Sequence, residues 1–350
     1  MKNKSILRLG CLTAAFGIGL ASLVSAADVN QPVQVFILLG QSNMVGMGHI
    51  AGDHPGTLEN AVKVEKKYPY LMDNDGNWTV WNDVRYVRVM DGRGGGMQVF
   101  NNEPMTVKTC RTIGPEFGIA QYIRHDPAGP VMILKSCIGN RSLGWDLLPP
   151  GSKEYDFTEK DRSGKEVTYT YAGYKESPMK WVKGTAPQKI GWYAGKQWDD
   201  DIANAKKVLS DLAKYYPGAK SYKVAGFFFW QGEKDCGDAG LSAHYEENLV
   251  NLIKALRKEF DAPNAKFVMA TLGEAKKGVG GNEEKVLEAQ LAVAGDSGKY
   301  PEFKGNVATV YSNPMAQGGS GNGHYGGKAE VYMDVGEAMG KAMADLLKNN

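Results

Sequence analysis

Residues 33–43 have the sequence Val-Gln-Val-Phe-Ile-Leu-Leu-Gly-Gln-Ser-Asn, a short apolar run that ends in glycine and polar residues. Continuous apolar runs of this length are typical of parallel strands that are covered by helices on both faces. The chain contains five such runs, namely Val33–Leu39, Val131–Lys135, Val224–Trp230, Lys266–Thr271 and Asn306–Tyr311. The sequence therefore predicts a five-stranded parallel sheet.

Stretches with helical spacing of apolar residues lie between these runs. They are Trp198–Tyr216, Ser242–Phe260, Glu283–Ala294 and Ala329–Leu347. Alternating strands and helices predict a doubly wound α/β fold. In such folds ligands bind in the loops that leave the carboxyl ends of the strands, so candidate functional residues are sought there.

Two long segments interrupt this alternation, at about residues 49–111 and 147–195. The second is rich in Tyr, Lys and Gly and contains Trp181 and Trp192. Connections of this length inside a domain usually form lids or binding loops. We expect both to be long loop insertions of that kind, with irregular packing segments as the alternative.

The composition is that of a globular protein, with 43% hydrophobic and 23% charged residues in 350. The formal net charge is +2, and removal of the basic start (Lys2, Lys4 and Arg8) would change it to −1. So small a charge provides no basic surface for nucleic acid and argues against an anionic membrane as the main partner.

Residues 1–26 have the features of a secretory signal peptide. The basic start is followed by an apolar stretch and by the small-residue cleavage site Val24-Ser25-Ala26. An uncleaved membrane anchor is the alternative, but the glycines in the stretch leave it short of the roughly 20 apolar residues that a span needs. We expect a secreted or periplasmic mature chain, residues 27–350, that forms a single domain.

Three cysteines remain after that cleavage, Cys110, Cys137 and Cys236. At most one disulfide can form among them, and the sequence leaves its partners open. No Cys-x-x-Cys pair and no cluster of histidine and cysteine occurs, so a zinc site is not expected.

Ser42 follows the first strand in the sequence Gly40-Gln41-Ser42-Asn43-Met44. A helix that starts at about Met44 would place the Ser42 hydroxyl near free backbone N–H groups, which favour developing negative charge. Ser42 is thus a candidate nucleophile, although serine is also a common helix cap.

Two further loops carry groups that could assist such a nucleophile. The third strand ends in Trp230-Gln231-Gly232-Glu233-Lys234-Asp235, which supplies an amide and two carboxylates. His324 lies in a glycine-rich loop after the last strand, and an imidazole can exchange protons with a hydroxyl near neutral pH. The other histidines, His49, His54, His125 and His244, are expected to be surface or packing residues.

Together these segments resemble the SGNH hydrolase superfamily, in particular its branch of acetylxylan esterases and sialic acid-specific acetylesterases. Residues 40–44 look like the nucleophile block of that branch. Residues 230–233 look like its third block, where glutamine replaces the asparagine of the wider superfamily. Residues 113–118 and 135–143 resemble two further segments, of which the latter supplies the second-block glycine, Gly139.

The resemblance implies a flavodoxin-like, three-layer α/β/α sandwich. It also implies serine-dependent removal of acetyl groups from polysaccharide or sialic acid, without a metal or an organic cofactor. Ser42 would attack the ester and His324 would act as base and then as acid. Backbone N–H groups of Ser42 and Gly139, with the amide of Gln231, would hold the oxyanion. The same blocks make Gln41 and Asn140 candidate oxyanion or substrate-binding residues.

The chain departs from the superfamily pattern at the third position of the triad. An aspartate usually stands three residues before the histidine, and Gly321 occupies that place here, followed by Asn322. Since the resemblance implies that some members of the branch use the glutamate of the third block instead, the role is assigned to Glu233. Asp235 is the second choice, and a Ser42–His324 dyad without an acid is the third.

Two other functions are compatible with the same sequence. The missing aspartate would also fit a carbohydrate-binding relative that has lost catalysis. An esterase of this superfamily could alternatively act on an ester outside the sugars, such as a lipid ester. The many Tyr, Trp and polar residues of the insertions favour sugars over an acyl chain.

Overall fold

The computed structural model describes residues 31–92, 95–125, 129–161, 163–316 and 321–348. The expected signal peptide lies outside these residues. The strands in the described residues are β1 (Val33–Gly40), β2 (Gly48–His49), β3 (Trp81–Asp91), β4 (Met97–Met105), β5 (Thr112–Ile113), β6 (Val131–Ser136), β7 (Tyr155–Lys160), β8 (Glu166–Tyr171), β9 (Lys180–Val182), β10 (Tyr222–Trp230), β11 (Lys266–Ala270) and β12 (Val307–Val310).

The α-helices of the described residues are α1 (Ser42–Val45), α2 (Glu116–Ile123), α3 (Lys196–Ser210), α4 (Leu212–Tyr215), α5 (Glu233–Cys236), α6 (Ala239–Ala243), α7 (Tyr245–Glu259), α8 (Gly281–Val293) and α9 (Ala329–Lys348). All four stretches that the sequence predicts to be helical are among them. Two of the predicted helices are interrupted, since α3 is followed by α4 and α6 by α7.

The central sheet has the strand order β12-β11-β10-β1-β6-β3-β4. The five predicted strands pair in parallel and occur in the flavodoxin-like order 2-1-3-4-5. The predicted strand count of five is nevertheless wrong, because the sheet has seven strands in the described residues. The first insertion adds β3, which is parallel to β6, and β4, which is antiparallel to β3.

Helices cover both faces of the sheet, so the fold is the expected three-layer α/β/α sandwich. Side chains alternate between the two faces along each strand. In β10, Phe227 and Phe229 join the core that contains α3 and α7, whereas Phe228 and Trp230 join the core that contains α2 and α9. All four are almost completely buried, which explains why this strand is a continuous apolar run.

The second insertion also contains strands rather than loops alone. β7, β8 and β9 form a three-stranded antiparallel sheet. This small sheet packs on α6, where the Tyr155 hydroxyl donates to the Gly240 carbonyl at 3.1 Å. The insertion is therefore attached close to the loop that follows β10.

The parallel strands point their carboxyl ends toward one edge of the sheet. β1 leads directly into Ser42, β6 leads toward Gly139, and β10 leads toward Glu233. His324 lies in the segment Gly321–Gly327 between β12 and α9, where the backbone at His324, Tyr325 and Gly326 is left-handed and not helical. Across the described residues, no helix is both long and apolar enough to cross a bilayer.

Candidate active site

A cleft of about 620 Å³ opens at this edge of the sheet. Six of the residues named from the sequence line it, namely Gln41, Ser42, Gly139, Asn140, Glu233 and His324. Two others, Gln231 and Asp235, are fully buried and do not line the cleft. The fold thus brings together residues that are nearly 300 positions apart in the sequence.

Ser42 is placed by a tight turn at the end of β1. Gly40 has a φ of +146°, and a Cβ atom there would come within 2.3 Å of the Trp230 carbonyl oxygen, so the position requires glycine. Ser42 begins α1, two residues earlier than the sequence suggested, and α1 has only four residues. So short a helix offers free N–H groups but little macrodipole.

Gly139 lies directly beside the serine. A Cβ atom on Gly139 would be 3.5 Å from the Ser42 Cβ, which is ordinary van der Waals contact. The next residue, Asn140, has a left-handed φ of +58°, a conformation that asparagine tolerates better than most residues. The turn after β6 therefore places Gly139 and Asn140 against the Ser42 side of the cleft.

The loop that carries His324 is bonded to the turn that carries Ser42. The contact is made by the residue that follows each of these two, Tyr325 and Asn43. Asn43 Nδ2 donates to the Tyr325 hydroxyl at 3.0 Å, and the Gly273 N–H donates to the same hydroxyl at 3.2 Å. The buried Tyr325 ring stacks on Trp230 with centroids 6.0 Å apart. Since Asn43 follows Ser42 and Tyr325 follows His324, this hydrogen bond holds the two chain segments together.

Backbone conformation also sets the direction of the histidine loop. His324 and Tyr325 have φ values of +44° and +58°, a left-handed conformation that is unfavourable for residues with a Cβ atom. The Tyr332 hydroxyl donates to the His324 carbonyl at 3.4 Å. Packing of Tyr325 and this contact hold the loop in the strained conformation.

Glu233 is partly exposed in the cleft and accepts a hydrogen bond at 3.2 Å from Gln41 Nε2. Gln41 is oriented in turn, because its Oε1 accepts from Gln231 Nε2 at 3.2 Å and from the Lys234 N–H at 3.3 Å. The carboxylate is thus positioned by a side chain from the neighbouring strand.

The Gln231 amide lies behind the cleft, in contrast to the oxyanion role that the resemblance implied. Its Nε2 donates to the Arg141 carbonyl at 2.8 Å and to Asp235 Oδ2 at 2.6 Å, besides its contact with Gln41. Its Oε1 accepts from the Tyr245 hydroxyl at 2.8 Å. With both amide protons used inside the protein, Gln231 acts as a connector between the loops.

Asp235 holds the turn after β6 in place. The Gly144 N–H donates to its Oδ1 and the Leu143 N–H to its Oδ2, both at 2.8 Å. Burial raises the pKa of Asp235 to about 7, although these donors and Gln231 favour the anion and oppose that rise. All of its described contacts are to the loops around the cleft, and none is to His324.

A buried ion pair beneath the serine turn was not recognised from the sequence as part of the site. Lys135 Nζ donates to Glu116 Oε2 and to the carbonyl of Val45, both at 2.8 Å. Neither side chain is more than 2% exposed, and Val45 is the last residue of α1. The sequence feature that could have indicated this pair is Lys135 itself, a lysine near the end of an otherwise apolar strand. A charged side chain is rarely buried there without a partner.

The remaining histidines and the cysteines lie outside the site. His49, His54 and His125 are exposed, and His244 stacks on Tyr155. Cys110, Cys137 and Cys236 are free thiols, and burial raises the pKa of Cys110 and of Cys137 to about 12. Among the residues that the structure describes, no group of three or more His, Cys, Asp or Glu side chains could hold a metal ion.

Residues 175–345 match the family described as carbohydrate esterase, sialic acid-specific acetylesterase. The matched segment includes Glu233 and His324, whereas Ser42 and Gly139 precede it. No curated protein has significant sequence similarity to the chain.

Three of the solved structures that match the chain do so at low sequence identity. A protein from Arabidopsis thaliana has a TM-score of 0.49 and 16% identity, over 89% of this chain and 98% of that chain. A carbohydrate acetylesterase from Xanthomonas citri has a TM-score of 0.49 and 14% identity, over 91% of this chain and 57% of that chain. NanS has a TM-score of 0.41 and 14% identity, over 83% and 79% of the two chains.

Proposed function

We propose that the chain is an acetylesterase that removes acetyl groups from carbohydrate through a serine acyl-enzyme. The match of residues 175–345 to the carbohydrate esterase family of sialic acid-specific acetylesterases supports this proposal. The observation that carries this proposal is the joint position of Ser42 and His324 on the wall of one cleft. The hydrogen bond from Asn43 to Tyr325 supports it by holding their two loops together.

In the first half of the reaction, Ser42 Oγ attacks the acetyl carbonyl carbon while its proton passes to His324. The resulting oxyanion is held by the backbone N–H groups of Ser42 and Gly139, with the Asn140 side chain beside them. The carbon–oxygen bond to the sugar then breaks, and the sugar oxygen takes the proton from the imidazolium. Acetyl-Ser42 remains.

In the second half, a water molecule attacks acetyl-Ser42 and gives its proton to His324. The bond to Ser42 Oγ breaks, the serine regains its proton and acetate leaves. Each donor to the oxyanion can lower the barrier by roughly 3 kcal/mol, as in other acyl transfer enzymes. Positioning of Gly139 beside Ser42 is therefore part of the proposed catalysis.

Glu233 is proposed as the acid that orients His324 and stabilises its charged form. Its carboxylate is partly exposed in the cleft. Its described hydrogen bond is to Gln41 alone, which leaves acceptor capacity for an imidazole N–H. Asp235 is the weaker choice, because three donors within the protein already occupy its oxygens.

Export of the mature chain is part of the proposal and rests on the composition of residues 1–26 alone. An acetylesterase outside the cytoplasm would encounter polymeric or surface-bound sugars. Fractionation of cells that express the full chain, with sequencing of the mature amino terminus, tests this. A chain that keeps Met1 and stays in the cytoplasm would contradict it.

The catalytic proposal is tested with purified wild-type protein and the variant Ser42→Ala. We expect the wild type to release acetate from p-nitrophenyl acetate, acetylated xylan or O-acetylated sialic acid, and to be labelled at Ser42 by a phosphonate that reacts with activated serines. The variant should lose both properties at an unchanged melting temperature, because the hydroxyl alone is removed. Comparable turnover in Ser42→Ala would refute the mechanism.

A further inference from the structure

The turn after β6, residues 137–140, carries the proposed oxyanion donor Gly139. The donating group is a backbone N–H, so its position depends on how the chain on either side of the turn is held. Asp235 binds the backbone farther along the chain, whereas the residues that flank the turn directly, Ser136 and Arg141, have other partners. Those partners decide where the Gly139 N–H lies.

Both flanks of the turn are bonded to one face of α3. On the amino-terminal side, Ser136 Oγ donates to Asp201 Oδ1 at 2.7 Å. On the carboxyl-terminal side, Arg141 Nε donates to Gln197 Oε1 at 3.2 Å. Gln197 and Asp201 are four residues apart in the helix, so they lie one above the other on the same face. A single rigid element thus holds the turn at both of its ends.

Core packing alone does not explain these two polar side chains, each of which is only 1% exposed. Within the described part of the chain, Gln197 Nε2 and Asp201 Oδ2 make no hydrogen bond of normal geometry, and incompletely bonded polar groups are costly to bury. The Ser136 hydroxyl and the Gln197 amide favour the ionised form of Asp201, yet burial prevails and raises its pKa to about 8. Buried polar groups of this kind call for an explanation beyond stability.

The next polar residue on this face of α3 serves a different part of the fold. Asn204 is also buried, and its Nδ2 donates at 2.8 Å to Oδ1 of Asp91, the last residue of β3. It makes the same kind of contact between α3 and the sheet, but at a strand that does not lead to the turn with Gly139. A comparison of Asn204 with Gln197 and Asp201 therefore separates support of the sheet from support of the turn.

We propose that Gln197 and Asp201 are positioning residues for the reaction: from α3 they fix both ends of the turn after β6 and thereby hold the Gly139 N–H where the oxyanion forms. This rests on the proposed function of the cleft. Outright removal of one donor to an oxyanion costs roughly 100- to 1000-fold in kcat. Release of one end of the turn displaces the donor without removing it, so the expected loss is smaller.

The test releases each end of the turn separately. Gln197→Met removes the acceptor for Arg141, and it should fold because methionine has a similar length and a high helix propensity. Ser136→Ala/Asp201→Leu removes both partners at the other end, so that no buried donor is left unpaired. The matched control is Asn204→Leu, which removes the buried hydrogen bond from the same face of α3 to β3.

Kinetics on p-nitrophenyl acetate are combined with binding of methylboronic acid, whose boron bonds to an activated serine oxygen and becomes a tetrahedral anion. We expect kcat to fall roughly tenfold in each turn variant, with KM changed by less than about twofold, because only the transition state uses the oxyanion donors. The dissociation constant of methylboronic acid should rise by a similar factor, since its adduct resembles that state. Asn204→Leu should lower the melting temperature and leave kcat and this dissociation constant within about twofold of the wild type.

Unchanged kcat and unchanged affinity for methylboronic acid in the folded turn variants would overturn the inference. So would a lower kcat with an unchanged dissociation constant, because that pattern indicates a smaller fraction of folded protein. The wild type tests the proposed function by itself. If it neither hydrolyses the ester nor binds methylboronic acid, both proposals are refuted, whereas an active wild type with equally active turn variants refutes the positioning role alone.

Discussion

Glu233 and Asp235 follow the same strand, yet their surroundings suit them to different tasks. Glu233 faces the cleft with one described hydrogen bond, from Gln41. Asp235 is fully buried and accepts from Leu143, Gly144 and Gln231. A carboxylate whose oxygens are all in use supports structure, whereas one with free acceptor capacity can engage an imidazole.

This contrast predicts different effects of two matched substitutions. Glu233→Gln should lower kcat severely, because a neutral amide does not stabilise the imidazolium, and should leave the free energy of unfolding within about 0.5 kcal/mol. Asp235→Asn should lower the free energy of unfolding by about 1–3 kcal/mol, because an amide N–H then faces an N–H donor.

Urea unfolding and steady-state kinetics on both variants check this prediction. For each variant, the change in kcat is compared with the change in the free energy of unfolding. This comparison separates a catalytic role from a structural one, because a general loss of folded protein would reduce activity together with stability. If Glu233→Gln keeps wild-type kcat while Asp235→Asn loses it at full stability, Asp235 takes over the role of the acid.

The residue types of the site could be predicted from the sequence, but the direction of each side chain could not. Ser42, Gly139, Glu233 and His324 reach the cleft, as the order of the strands implies. Gln231 turns away because Tyr245 and Asp235 bind the two ends of its amide. Those contacts depend on tertiary packing, which motif spacing does not reveal.

At the scale of the elements, α1 is too short to be stable alone and depends on its surroundings. The buried pair Lys135–Glu116 lies at its carboxyl end, where Lys135 Nζ donates to the Val45 carbonyl at 2.8 Å. Gly114, just before α2, donates its N–H to Glu116 Oε1 at 3.2 Å. One ion pair therefore joins β6, α1 and the start of α2.

Breaking this pair should be more harmful to the fold than removing it. Glu116→Gln leaves the Lys135 ammonium buried without a countercharge and should cost about 3–5 kcal/mol of unfolding free energy. The double variant Glu116→Leu/Lys135→Met should recover much of that stability, because neither residue then carries a buried charge.

The double variant should nevertheless have a lower kcat than the wild type. Methionine at position 135 cannot donate to the Val45 carbonyl, so the turn that carries Ser42 loses this hydrogen bond. Unfolding curves and kinetics on p-nitrophenyl acetate test both statements. A double variant with wild-type kcat would show that the pair stabilises the fold without positioning Ser42. The exposed pair Lys206–Glu259, changed in the same way, serves as the control.

The elements that the sequence analysis missed have identifiable features in the sequence. β3 carries Arg85 and Arg88 between its buried valines, and β4 contains Asn101, Asn102 and Pro104. Polar residues are tolerated there because these strands lie at the end of the sheet. The inner strands β1, β6, β10 and β11 were predictable because burial on both faces makes them largely apolar. The fifth predicted strand, β12, forms the other edge of the sheet and is only partly buried.

At the scale of the whole molecule, buried acids with raised pKa values link stability to pH. Burial raises the pKa of Asp201 to about 8, and Ser136 Oγ donates to its Oδ1 at 2.7 Å. Burial also raises the pKa of Asp235 to about 7. Between pH 4 and these values the folded chain holds protons that the unfolded chain has released.

The free energy of unfolding should therefore fall as pH rises from about 4 to 8, since the folded state binds more protons over that window. Asp201→Asn removes one titrating group and keeps the acceptor for Ser136, so its stability should fall less between pH 5 and pH 8 than that of the wild type. The difference in slope should be at most about 1.4 kcal/mol per pH unit. Urea titrations at both pH values measure it, with the exposed Asp211→Asn as the control. If the wild type and Asp201→Asn lose equal stability over this range, Asp201 is not the group responsible.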